Sequence, residues 1–207
     1  MVFIKIDYNN WKRKPYFEHY SKNVPCTYSM TTKIDITRLI QSGRHLYSAL
    51  LFFITKEVNR HEEFRICYNK DGILGYYDQM IPCYTVFNKQ TETFTTVWTE
   101  STDDYDDFFA EYKKDVELYG KDAKLAGKPD MPENVFNVSM IPWISFDGFN
   151  LNLQKGYDYF LPIFTFGKYY QEQNKYLLPL SVQVHHAVCD GFHLSRFINE
   201  FQDMLSR

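Results

Sequence analysis

The chain has 207 residues, with 23 Lys and Arg against 26 Asp and Glu for a formal net charge of −3. A nucleic-acid binder of this size shows a basic face or stripe, which this balance excludes. Hydrophobic residues make up 44% and aromatics 18%, enough for a single domain over 1–207 to bury a full core without staples.

The opening segment MVFIKIDYNNWKRK places charges at Lys5 and Asp7 and holds no apolar stretch of signal-peptide length. The longest apolar run, Ala49 to Ile54, is far short of a membrane span. Cys26, Cys67, Cys83 and Cys189 are widely spaced with no C-x-x-C pair, which excludes the common zinc ribbons and argues against a disulfide framework. The expectation is a soluble, reduced, cytoplasmic protein without a membrane or nucleic-acid partner.

Lys12, Arg13 and Lys14 form a cluster that suits a solvated helix turn. A β-type run over Cys26 to Ile36 follows. After Asp35 and Thr37, Leu39, Ile40, Leu46, Tyr47, Leu50, Leu51, Ile54 and Val58 predict a helical stripe that Ser42-Gly43 interrupts. Further strands are predicted over Phe64 to Tyr68 and Thr93 to Thr99. A second helix carries Phe108, Phe109, Tyr112, Val116 and Tyr119, with aspartates 103, 104, 106 and 107 at its front and lysines 113, 114 and 121 behind. That order complements the helix dipole. Gly120 to Asn134 is the most loop-like region, and strands over Val135 to Ile141, Phe160 to Phe166 and Leu177 to His186 come after it. Pro179 argues for an edge or a bulge early in the last of these. Leu194, Phe197, Ile198, Phe201, Met204 and Leu205 predict a C-terminal helix capped at Asp190 or Gly191. Strands without regular helix alternation predict an α+β fold, helices packed on a mixed or antiparallel sheet.

The chemistry concentrates in Val182-Gln183-Val184-His185-His186-Ala187-Val188-Cys189-Asp190-Gly191. A period of two puts Leu180, Val182 and Val184 on one face, and extending it puts His186 on that apolar side with His185 opposite. A histidine at the end of a buried strand, followed by a carboxylate and a glycine turn, is a rigid mount for a general base. A lone strand-end histidine is more often a hydrogen-bonded structural residue, but the doublet with Asp190-Gly191 is a specific pattern. A metal set of His185, His186, Asp190 and His193 fails on geometry, since adjacent strand residues face opposite ways. No metal is expected. Cys189 is better explained as a small buried residue than as a nucleophile.

H-H-A-V-C-D-G-F-H resembles the signature of the chloramphenicol acetyltransferase family; the wider H-H-x-x-x-D-G pattern also marks dihydrolipoamide acyltransferase cores, carnitine acyltransferases and peptide-synthetase condensation domains. Further stretches are similar to that family along essentially the whole chain: Asn10-Trp11-Lys12-Arg13-Lys14 with Phe17-Glu18-His19-Tyr20, Thr32 to Thr37, Tyr84-Thr85-Val86-Phe87, Ser139 to Trp143, and Phe149-Asn150-Leu151-Asn152.

The resemblance implies a two-layer CoA-dependent acyltransferase fold and transfer of acetyl from acetyl-CoA to the primary hydroxyl of chloramphenicol, in a ternary complex. His186 would be the general base and the Ser139 hydroxyl the oxyanion donor, with Thr165 supporting the intermediate through a water. It pairs Asp190 with Arg13 as a structural ion pair that holds the His186 loop. It also implies an acceptor wall of Tyr20, Cys26, Tyr28, Phe149 and Leu151 and a coenzyme A site of Trp143, Lys168 and Tyr169. A homotrimer with active sites between subunits is implied as well. Two rival readings are transfer to a different hydroxyl or thiol acceptor on the same scaffold, and a non-catalytic ligand-binding homologue.

Overall fold

In chain order the computed structural model has β1 (Phe3–Lys5), α1 (Lys14–Glu18) running into a π turn (His19–Asn23), β2 (Thr27–Asp35), α2 (Thr37–Gln41), α3 (Leu46–Arg60), β3 (Ile66–Tyr68), β4 (Leu74–Tyr77), β5 (Ile81–Asn88), β6 (Thr93–Trp98), α4 (Tyr105–Tyr119), β7 (Val135–Met140), β8 (Ile163–Phe166), β9 (Tyr170–Glu172), β10 (Lys175–His185) and α5 (Gly191–Leu205). It describes residues 1–121, 124–153 and 158–206. The main sheet has seven strands in the order β2-β10-β8-β7-β5-β6, with β9 beside the start of β10. β5, β7 and β8 run parallel and the other pairings are antiparallel. A small antiparallel sheet, β1-β4-β3, stands apart. This is an α+β fold on a mixed sheet.

The two faces of the main sheet differ in chemistry, and that difference positions the site. Leu180, Val182 and Val184 of β10, Phe164 and Phe166 of β8, Phe136 and Val138 of β7 and Tyr84 of β5 are all buried. The register aligns them on one face. α5 closes over it, with Phe197 5.4 Å from the Phe164 ring and Phe201 6.5 Å from Phe166. α3 and α4 pack beside it in the same core. The opposite face carries Ser139, Thr165, Ser181 and Gln183.

Local chemistry sets the helix ends. Ser42-Gly43 does break the stripe: α2 stops at Gln41, and Gly43 takes φ +70°, the left-handed conformation that ends helices at little cost only for glycine. Asp104 caps α4, its Oδ1 accepting from the Asp106 and Asp107 backbone N–H groups. Asp190 is the N-cap of α5.

Several strand expectations need correction. Phe64 ends a 3₁₀ turn (Glu62–Phe64) instead of starting a strand, and the expected Phe160 to Phe166 strand begins only at Ile163. β5 lies between β7 and β6 although its pattern gave no strand signal. Its first four residues are buried on both faces, so no alternation shows, and Pro82 reads as a breaker. The proline is tolerated because the ladder with β6 starts one residue later, at Cys83. Pro179 lies neither on an edge strand nor in a bulge of β10: its ladder to β2 is unbroken, and the extra residue is in the facing stretch Gly167 to Tyr169. β10 is flanked by strands on both sides, and its register to β9 (Leu177↔Tyr170) slips by one residue relative to β8 (Leu180↔Phe166) across Pro179.

Candidate active site

β10 ends at His185, and the His186 backbone N–H still donates to Cys26 O at 2.9 Å. The two histidines then part, but not as the strand period predicted, because His186 lies past the end of β10. His185 is 1% exposed; its Nδ1 accepts from the Ala187 N–H at 3.1 Å and its ring meets Phe160 edge-on at 4.8 Å. His186 turns to the rim of the core, stacked on Tyr20 at 3.9 Å with the planes 18° apart and met edge-on by Tyr28 at 5.4 Å. Its Nδ1 lies 3.2 Å from Asp190 Oδ1 without the alignment of a hydrogen bond. Two aromatic walls fix the imidazole plane, and its side chain remains 29% exposed. Of the pair, His186 is the one a reacting hydroxyl can approach.

The loop after it is held by a single guanidinium. Arg13 donates from Nη1 and Nη2 to both Asp190 oxygens at 2.7 Å, from Nε to Ala187 O at 2.8 Å and from Nη2 to His186 O at 2.9 Å. A planar fork can meet a carboxylate and two carbonyls at once, which an ammonium cannot. Hydrogen bonding to Arg13 holds the Asp190 carboxyl below the usual carboxylate range, against the opposing effect of burial. Cys189 is buried, and desolvation pushes its thiol up to about 12, so no thiolate is available there at neutral pH.

A second constellation sits on the polar face of the sheet. Ser139 of β7 and Thr165 of β8 are register partners whose hydroxyls lie 3.1 Å apart. Ser139 borders a cavity of about 660 Å³ lined by Tyr47, Phe87, Phe94, Trp143, Leu151 and Ile163, among others, with Thr165 buried behind it. The segment carrying Phe149 and Leu151 is strapped across β10: Ser181 Oγ donates to Phe149 O at 2.5 Å, and the Leu151 N–H donates to Gln183 Oε1 at 2.8 Å. At the carboxyl ends of β7 and β8, the Lys168 N–H donates to Ile144 O at 2.9 Å, bringing Lys168 and Tyr169 beside Trp143. Trp143 is 59% exposed and lies edge-on to Phe87 at 4.6 Å. Exposed aromatics and a lysine at this rim suit an extended ligand with a ring and anionic groups.

The fold therefore divides the anticipated residues between two places. His186, Arg13, Asp190, Tyr20, Cys26 and Tyr28 gather at the β10–α5 corner. Ser139, Thr165, Phe149, Leu151, Trp143, Lys168 and Tyr169 gather on or beside the sheet face. Ser181 stands opposite Thr165, which stands opposite Ser139, and His186 is five residues further along the chain from Ser181. At about 3.3 Å per residue and about 4.8 Å per strand, His186 and Ser139 are on the order of 19 Å apart. Ser181 and Gln183, which strap the Phe149 segment, were not singled out by sequence reasoning. Two polar residues alternating with Leu180, Val182 and Val184 on a buried strand were the available signal.

The profile of the chloramphenicol acetyltransferase family matches residues 1–202. The chain is 60% identical over 206 residues to a chloramphenicol acetyltransferase of Clostridium perfringens, covering all of both chains. It is 59% identical over 207 residues to one of Campylobacter coli, again over the whole of both. Among solved structures, a chloramphenicol acetyltransferase superposes with a TM-score of 0.87 at 22% identity, covering 99% of this chain and 100% of that one. At that identity the structural likeness speaks for the fold.

Proposed function

The chain belongs to the chloramphenicol acetyltransferase family, and from that premise we propose that it acetylates the primary hydroxyl of chloramphenicol with acetyl-CoA as co-substrate, His186 acting as general base. The activity is an antibiotic inactivation, carried out in the cytoplasm. The observation that carries the mechanism is the mounting of His186. Its ring plane is fixed by Tyr20 and Tyr28 and its loop by Arg13, while Nε2 makes no hydrogen bond within the described residues.

In this reading His186 Nε2 takes the hydroxyl proton as the oxygen attacks the thioester carbonyl, then returns it to the departing thiolate. Base assistance of this kind contributes about 10²–10⁴-fold. The Ser139 hydroxyl donates to the developing oxyanion, and Thr165, 3.1 Å away, orients it. Trp143, Lys168 and Tyr169 are the residues that would hold the coenzyme A portion at the exposed rim. The apolar cavity next to Ser139 suits a nitrophenyl ring and a dichloroacetyl group.

A separation on the order of 19 Å keeps one chain's base from serving its own oxyanion donor. We therefore read the active unit as a closed homotrimer in which the His186 corner of one copy faces the Ser139 cavity of the next. Each site is then complete only at a subunit interface.

The test is thiol release from acetyl-CoA, followed with a thiol reagent, with and without chloramphenicol. Release that depends on chloramphenicol and falls by at least about 10²-fold in His186→Ala is the expected result. No release by folded wild-type protein overturns the acceptor assignment and sends the search to other hydroxyls.

A further inference from the structure

His193 has no role so far. It occupies the third position of α5, where a capping box usually carries Glu or Gln. Its Nδ1 accepts the Asp190 backbone N–H at 3.0 Å. The carbonyl of the same peptide unit, Cys189 O, accepts from the Tyr28 hydroxyl at 3.3 Å. The Cys189–Asp190 peptide is thus gripped on both edges, and each grip leads to the base. Tyr28 is the edge-on wall of His186, and the Asp190 carboxylate lies 3.2 Å from His186 Nδ1.

We propose that His193 is a positioning residue for the base: accepting at Nδ1 as a neutral imidazole, it fixes the Cys189–Asp190 peptide and with it the Tyr28 ring and Asp190 carboxylate that flank His186. The idea rests on the general-base reading above. Four charged groups face His193. Glu63 approaches from the 3₁₀ turn, Arg13 from the start of α1, Asp190 from the cap, and Arg196, itself paired with Glu63, from the next turn of α5. Burial has the largest effect and pushes the imidazole below its ordinary range; Arg13 and Arg196 act in the same direction, against Glu63 and Asp190. The neutral form therefore prevails at pH 7 and the acceptor is available.

Protonation would place a hydrogen on Nδ1, facing another donor, and the bond to the Asp190 N–H would be lost. The charged ring would instead be drawn to Asp190 Oδ2, 3.8 Å away, in competition with Arg13 for that oxygen. A glutamine at this position retains a side-chain acceptor but does not titrate.

The experiment compares wild type, His193→Ala and His193→Gln in chloramphenicol-dependent thiol release between pH 5 and 8. His193→Ala is expected to lose about 10-fold in kcat with both KM values within about twofold, and His193→Gln to recover most of that loss. The acid limb of kcat should need two protons in wild type and one in His193→Gln. A His193→Ala kcat within about twofold of wild type, or a His193→Gln acid limb identical to wild type, overturns the proposal. ¹⁵N NMR of labelled histidine reads the same contact without turnover: the Nε2–H tautomer of His193 is expected at neutral pH, and the Nδ1–H tautomer overturns it. Failure of wild type to release thiol at all would fall on the acceptor assignment, with the tautomer measurement still deciding the His193 contact.

Discussion

The β10–α5 corner and the sheet-face cavity carry complementary halves of one reaction, but they are built by different physics. At the corner, Arg13 donates to one carboxylate and two backbone carbonyls nearly 180 residues further along the chain, and two aromatic rings fix the imidazole between them. At the cavity, Ser139 and Thr165 are aligned by strand register alone. A proton acceptor must be held in angle as well as place, so a loop outside the sheet needs a charged clamp. A hydroxyl donor on a parallel ladder inherits its orientation from the backbone. Damage should therefore spread through the corner but stay local in the cavity.

The sharpest way to break this comparison is to put the two halves on different chains. Refolding a 1:1 mixture of His186→Ala and Ser139→Ala subunits should restore about a quarter of wild-type thiol release by random assortment, from two parents that are each nearly inactive. Recovery no greater than the sum of the parents would mean that each chain completes its own site, and the trimer reading would fail. Next in size, Ser139→Ala alone should lower kcat by about 10²–10³-fold with the melting temperature almost unchanged. Thr165→Val should cost less, because it acts through Ser139. A large fall in melting temperature for Ser139→Ala would show the cavity to be as interdependent as the corner.

The same contrast explains what the sequence made legible. The histidine doublet could be singled out because β10 is long and its apolar residues alternate through Leu180, Val182 and Val184 up to it. The outcome departs from that parity: His185 is the buried one, and His186, just past the end of β10, lies at the rim of the core. Arg13, by contrast, looked like one of three ordinary surface cations, and its partnership with Asp190 came from family resemblance; no local pattern announces a contact across the length of the chain. β5 was missed because a strand buried on both faces loses its alternation, and β1, β4 and β9 are too short to show one. Neither the gap between His186 and Ser139 nor the assignment of each residue to a half could be read before the strand order β10-β8-β7 was known.

The smallest effect concerns the clamp itself. The Asp190 carboxyl is held below its ordinary value in the folded chain, so its stabilising contribution is fully present above the unfolded carboxylate pKa of about 3.9 and is lost as pH falls through the folded value. Asp190→Asn lacks that proton linkage. The difference in melting temperature between wild type and Asp190→Asn should hold steady from pH 7 to about 5 and shrink as pH falls below about 4. The shrinkage should be modest, because Asp190 is 36% exposed and solvent screens its attraction to Arg13. Added salt should reduce the pH 7 difference only partly, since the bidentate geometry and the two carbonyl contacts of Arg13 survive screening. A difference that grows on acidification would mean that the neutral carboxyl is the better partner, and the corner would then owe its rigidity to the aromatic walls of His186 and not to the clamp.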